Sequence, residues 1–512
     1  MSNPQDNTAS ILQKNKKVLI ASLTGSAIEW FDYFLYGTAA ALVFNKIFFP
    51  MVDPVIGLIL SWLSFSLTFF IRPIGGVIFA HIGDRIGRKK TLVLTLSLMG
   101  SATVAIGLLP TYEMVGLWAP ALLITLRIIQ GMGIGGEWGG ALLLAYEYAP
   151  EKRKGFFGSI PQAGVTIGML MATFIVSLMT LFDEAQFLAW GWRIPFLLSS
   201  VLVFLGLWIR KDIDETPAFK QVKKSGQVAK APLRDTLKHH WREVLIAAGL
   251  KVVETAPFYI FSTFVVSYAT TTLSYQKSQA LESVTLGALV ATVMIPLMGL
   301  LSDKVGRQKM YTLSVVLLGL FIVPWFLLLD TGTGWGIMLA TIVAFGILWA
   351  PVTAVLGTLC SEIFSANVRY TGITLGYQLG AALAGGTAPL IATGLLAKYD
   401  GGWRPVAIYL GITVAISLLA IFCASRMKSA LGTAPPGRKA PDRRPPGLLR
   451  RRLSRPGYYG ADYPARRRCA CAGLRGDHAA GETAYSRSGK HVGPVRRQPP
   501  PGTNRRHVFP PA

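Results

Sequence analysis

The chain has 512 residues, 52% of them hydrophobic and 15% charged. Soluble domains carry roughly 25% charged residues, so an ordinary soluble fold is excluded. The net charge of +25 would suit a nucleic-acid binder, but residues 431–512 alone hold 18 basic and 4 acidic residues, a net of +14. Cys360, Cys423, Cys469 and Cys471 show no CxxC or zinc spacing, so neither a disulfide framework nor a metal site is expected.

Residues 1–17 are polar and close on Lys14, Lys16 and Lys17. The apolar run at 18–44 is too long for a signal-peptide core and reads as a retained first helix. Further runs centre near 56–81, 91–110, 118–148, 156–182 and 194–209. A polar linker, 210–243, separates them from six more near 244–272, 283–301, 310–329, 334–360, 371–397 and 404–424. Each can supply the about 20 apolar residues that cross a bilayer. In lipid the backbone has to satisfy its own hydrogen bonds, which makes helices the reading of all twelve. The expected fold is therefore an all-α integral membrane protein, with one half of six helices at 18–209 and another at 244–424.

Two loops support that division. Asp84-Arg85-Ile86-Gly87-Arg88 lies between the second and third runs, and Asp303-Lys304-Val305-Gly306-Arg307 lies between the eighth and ninth. An order of residues repeated half a chain apart points to duplicated halves. With the N-terminus inside, the inner segments before residue 430 hold 25 Lys and Arg and the outer loops hold five. That asymmetry places both termini and the linker in the cytoplasm. From residue 425 to 512 the chain is rich in Arg and Pro, has no amphipathic period, and reads as a disordered cytoplasmic tail. It is either a segment for anionic lipid or nucleic acid, or a non-native extension; the second reading leaves no nucleic-acid partner.

Charges inside spanning helices are costly and mark functional sites. The first helix carries Glu29 and Asp32 one turn apart, on a stripe with Gly25 and Tyr36. The second carries Arg72 before Pro73. The fourth carries Arg127, Gln130 and Glu137 in a narrow sector, beside the glycines of Gly131-Met132-Gly133-Ile134-Gly135-Gly136, which let helices approach closely. The seventh carries Lys251 and Glu254 at a spacing that allows a pair. Two readings stand for these groups: they hold substrate and protons, or they pair to hold the bundle. Arg72 has a third, as a partner of an acid near the cytoplasmic side.

The loops at 83–90 and 302–309 resemble the repeated loop motif of the major facilitator superfamily. Further stretches resemble its metabolite–proton symporter family, which includes shikimate, proline/betaine, citrate and 2-oxoglutarate carriers. They are Gly25 to Asp32 with Tyr36-Gly37, Arg72-Pro73 with Gly75-Gly76, Leu126 to Gly140, Pro161-Gln162, Trp190 to Phe196, Glu215-Thr216-Pro217, Ser361 to Phe364, Val368 to Gly372 and Gly376-Tyr377-Gln378. The likeness covers about residues 15–425. It implies two six-helix halves that rock about a central site. It also implies a cytoplasmic gate of Asp84, Arg85, Gly87, Arg88, Glu147 and Arg153, answered by Asp303, Gly306, Arg307, Glu362 and Arg369.

The function expected is proton-coupled uptake of a small carboxylate or zwitterion across the inner membrane, by a monomer without cofactor. An antiporter or exporter of the same fold, and a non-transporting sensor, are the alternatives. Arg127 is the first choice for a substrate carboxylate, as a guanidinium with few other partners in a dry cavity. Gln130, Glu137, Arg72, Tyr36, Lys251 and Glu254 complete the expected site. Asp32 is expected to carry the proton, with Glu29 as runner-up, in a cycle driven by a changing Asp32–Arg127 distance.

Overall fold

In the computed structural model, the described residues are 8–179, 182–211, 214–216, 220–221, 232–365 and 368–432. The tail from 433 on and linker residues 212–213, 217–219 and 222–231 lie outside them. Twelve long helices dominate, and no strand occurs among the described residues. They are α1 (Thr8–Ala39), α2 (Pro54–Ile86), α3 (Arg88–Gly107), α4 (Trp118–Tyr148), α5 (Lys154–Met179) and α6 (Arg193–Lys211) in the first half. The second half has α7 (Trp241–Thr271), α8 (Lys277–Val305), α9 (Arg307–Leu329), α10 (Gly334–Ser361), α11 (Arg369–Lys398) and α12 (Arg404–Gly432). All twelve are long and apolar enough to cross a membrane. Large apolar side chains such as Phe70, Phe204, Leu320, Leu390 and Ile408 are exposed, as lipid-facing positions should be.

The helix ends differ from the apolar runs for a simple reason. Lys, Gln, Arg and Met favour helix without needing lipid. So α1 starts at Thr8 rather than 18, and α12 continues to Gly432 rather than stopping at 424. The eleventh span is broken. Gly385, Gly386 and Thr387 leave the helix, and a Cβ on either glycine would stand 2.9–3.0 Å from the Phe69 ring of α2. Other irregular turns lie inside the spans: α7 widens into a π-helical turn at Ile260–Phe264, just after Pro257, whose missing N–H removes one helix bond.

Between α2 and α3 stands Gly87 alone, with φ 114°, and between α8 and α9 stands Gly306, with φ 98°. These values lie in the region open to glycine, which is why each repeated loop needs one there. α2 and α4 cross in direct backbone contact. A Cβ on Gly135 would lie 2.2 Å from the carbonyl oxygen of Arg72, and one on Gly75 equally close to that of Met132. This crossing brings Arg72 to the boundary between the halves. The two repeated loops lie at one end of the bundle, the motif end.

Candidate functional site

Asp32 faces α3 and α6. Its Oδ1 accepts from Ser199 Oγ at 2.6 Å and its Oδ2 from Thr103 Oγ1 at 2.8 Å. Thr103 Oγ1 accepts from Gln130 Nε2 at 2.7 Å, and Gln130 Oε1 accepts from Arg127 Nη1 at 2.5 Å. Arg127 thus reaches Asp32 through two intervening side chains, not by the direct approach the sequence suggests. Nor does it lack partners. Nε donates to the Ser64 carbonyl at 3.3 Å, and Nη2 to the Phe65 carbonyl and Thr68 Oγ1, both at 3.2 Å. The guanidinium also lies 3.7 Å from the centroid of the Tyr36 ring. Tyr36 donates to Ser64 Oγ at 2.7 Å, since the proton of Ser64 is given to the Ser61 carbonyl at 2.6 Å. A carbonyl has two lone pairs, so α2 keeps its helix bonds while holding Arg127.

Arg72 is the contrasting cation. It is buried among the rings of Tyr33, Phe69 and Trp30, with its guanidinium carbon 4.5, 5.4 and 5.8 Å from their centroids. Its Nε and Nη2 have no hydrogen-bond partner, and neither does Oε2 of buried Glu29. Among the charges that act on Glu29 are those of Arg72 and Lys251. Among the described residues no acid lies within ion-pair distance of Arg72, although its charge reaches Glu29. Across the boundary, the Tyr259 hydroxyl donates to that of Tyr33 at 3.3 Å. Trp138 of α4 stacks on Tyr377 of α11, whose other neighbour is Lys251 Nζ, 3.7 Å from the ring centroid.

Two of the expected site groups are paired. Lys251 donates to Glu254, as their spacing allows, and Glu254 also accepts from Thr353 Oγ1 at 3.0 Å and Thr255 Oγ1 at 2.9 Å. Glu137 is bound to Arg210, a residue that sequence reasoning assigns to the linker, and accepts from Thr95 Oγ1 at 2.8 Å. The carboxylate expected at the substrate site thus has a buried cation as its partner. Gly25 makes room for this pair, because a Cβ there would stand 1.7 Å from Arg210 Nη2.

At the motif end the halves hold each other by exchanged helix caps. Asp84 Oδ2 accepts from the Thr371 backbone N–H at 3.0 Å and its hydroxyl at 2.8 Å, in the first turn of α11. Asp303 accepts from the Gly155 and Phe156 N–H groups at 2.7 and 3.0 Å, in the first turn of α5. Carboxylates suit these amide-rich helix starts. Each Asp also pairs with the Arg four residues on, Arg88 and Arg307, both at 3.0 Å. Glu147 lies 3.8 Å from Arg88 and 3.7 Å from Arg369 of the other half, while Glu362 binds Arg307. Arg85 is exposed, and Arg153 is half-buried in the turn Glu151–Arg153. Two further bonds join the halves nearby: the Tyr370 hydroxyl donates to the Gly136 carbonyl at 2.6 Å, and Gln378 Nε2 to that of Gly135 at 3.0 Å.

Duplicated loops that cap each other's halves agree with a family model described as Major Facilitator Superfamily, which matches residues 22–385 and 257–461. The chain belongs to the major facilitator superfamily. It is 39% identical to the shikimate transporter of Escherichia coli (strain K12) over 410 residues, covering 80% of this chain and 93% of that one. It is also 39% identical, over 417 residues, to the inner membrane metabolite transport protein YhjE of the same strain, covering 80% and 94%. Such relatives put this major facilitator protein in the metabolite–proton symporter family. The proton:xylose symporter XylE bound to 6-bromo-6-deoxy-D-glucose shares the fold, with a TM-score of 0.65 at 16% identity, over 82% of this chain and 96% of that one. A major facilitator protein is a membrane transporter and not an enzyme.

The residues that sequence reasoning misses here are Thr103, Ser199, Ser64, Thr68 and Arg210. The four hydroxyls look neutral in an apolar run. Arg210 gives one signal: it is the first charge after the sixth apolar run, within reach of the membrane if its stem extends inward.

Proposed function

We propose that the chain takes up a small organic acid or zwitterion with protons across the inner membrane, by alternating access. The observation that carries this reading is the unpartnered guanidinium of Arg72, buried at the boundary of the halves with Glu29 nearby. A buried cation with free donors fits a substrate carboxylate, and fits it through a planar fork. Arg127, already bonded, is better read as the group that ties α4 to α2. Asp32 remains the proton site, held by two hydroxyl donors. The excess of Lys and Arg on one side of the bundle supports cytoplasmic termini. The motif end is then the cytoplasmic gate, closed by the exchanged caps. The inner membrane follows the name of the relative YhjE.

The test is uptake by the full chain in liposomes of labelled shikimate, proline, betaine and 2-oxoglutarate. At least one should accumulate when the outside is made acid, and a protonophore should abolish the accumulation. Accumulation that needs an alkaline exterior would make the protein an antiporter. With Asp32→Asn, exchange of the same compound should persist while accumulation is lost. Accumulation by Asp32→Asn with normal pH dependence would move the proton site to Glu29.

A further inference from the structure

The link between Asp32 and Arg127 has a direction. The Arg127 guanidinium donates to the Gln130 carbonyl oxygen, the Gln130 amide donates to Thr103, and the Thr103 hydroxyl donates to Asp32. Every donor points away from the cation and toward the carboxylate. Chains polarised one way strengthen each link. Thr103 has a second acceptor in reach, the Met99 carbonyl of its own helix at 3.0 Å. It has one proton to give and two lone pairs.

We infer that Thr103 is a positioning residue that reports the protonation of Asp32 to Arg127, by turning its single hydroxyl proton from Asp32 to the Met99 carbonyl. The inference rests on the reading of Asp32 as the proton site. The bonding balances in both states. With Asp32 charged, Thr103 donates to Oδ2 and accepts from Gln130. With a proton on Oδ2, Asp32 donates to Thr103, which still accepts from Gln130 and gives its own proton to Met99. Ser199 donates to Oδ1 in either state. No proton travels along the chain. The last link reverses, the chain loses its single direction, and the hold of Gln130 on Arg127 weakens.

The surroundings of Asp32 leave this link as the route by which charge is sensed. Arg127 on α4 is the charge that acts on it. From α3 and α6 it meets the hydroxyls of Thr103 and Ser199. α5 packs its glycines Gly164 and Gly168 on the α1 backbone between Ser26 and Phe31. On α1 itself, Tyr36 stands against Arg127 and Glu29 lies among the charges of Arg72 and Lys251.

The experiment is infrared difference spectroscopy of the full chain in liposomes, titrated with pH and without added substrate. The carboxylic band of Asp32 is the one absent from Asp32→Asn. In Thr103→Val that band should shift in frequency, and its pH midpoint should move by about one unit, the scale of one hydrogen bond to a charged group. Thr103→Ser, which keeps the hydroxyl, should restore both. In Gln130→Leu the Asp32 band should also shift, because its chain has lost a link. A band and midpoint unchanged in Thr103→Val would overturn the relay while leaving Asp32 as the proton site. Absence of any band sensitive to Asp32→Asn would instead remove the proton site, and the relay with it.

Discussion

At the scale of single residues, two buried arginines in one half have opposite bonding states, and that separates their roles. Arg127 is spent on helix carbonyls and side chains, whereas Arg72 touches rings and leaves donors free. Arg72→Gln should therefore melt within about 1–2 kcal/mol of wild type, the worth of its ring contacts. Its KM for the accumulated acid should rise about 10- to 100-fold, as expected when a charged hydrogen bond of roughly 1.5–3 kcal/mol is lost. Arg127→Lys should do the reverse. A lysine keeps the charge but not the fork, and each buried acceptor left empty costs about 1–3 kcal/mol. Melting temperature and yield should fall, with KM nearly unchanged in the protein that folds. A raised KM at unchanged melting temperature in Arg127→Lys would return that residue to the substrate site.

At the scale of helices, contact geometry decides which glycines matter. A Cβ on Gly135 meets backbone of α2, which cannot turn aside, so Gly135→Ala should force α2 and α4 apart and abolish membrane-inserted, monodisperse protein. A Cβ on Gly25 meets the far end of Arg210, which can leave. Gly25→Ala should therefore insert but lose about 3–5 kcal/mol as Glu137 is stranded, read as a lower melting temperature in detergent. Restoration of stability by Gly25→Ala combined with Glu137→Gln would confirm that cause, and a further loss would refute it. This difference is illegible in the sequence, where both glycines are small residues in apolar runs. The twelve spans and the repeated loops are legible, because hydropathy and order survive without knowing how helices rotate. Hydrogen-bond partners depend on that rotation. Hence Glu29 and Asp32, one turn apart, share a stripe in sequence yet face different neighbours, Asp32 toward Thr103 and Ser199 and Glu29 toward the charges of Arg72 and Lys251.

At the scale of the whole molecule, the two exchanged caps join the halves at one end of the bundle. Ser302, buried on α8, lies against α5: a Cβ on Gly155 would stand 2.3 Å from its Oγ. If the caps keep the motif end shut, then in Ser302→Cys, with the natural cysteines replaced, an impermeant thiol reagent should react slowly and only from the side that the motif end faces. Adding Asp84→Asn exchanges a charged acceptor for a neutral one and should speed labelling about tenfold, for roughly 1–1.5 kcal/mol of weakened capping. Equal rates in both proteins would show that the caps do not hold this end shut. The caps have a further, genetic consequence. At Asp303 one side of the lock is a carboxylate and the other is two main-chain N–H groups that every residue but proline supplies, whereas Asp84 also takes the Thr371 hydroxyl. Phe156 can change its side chain without removing its donor, so selection has a handle on Asp303 and hardly any on that amide, while at Asp84 the Thr371 side chain is itself open to selection. A saturation library should record Asp303 as intolerant and Phe156 as tolerant, with compensating second-site changes falling on side-chain partners such as Thr371, Arg88 and Arg307 and not on Phe156.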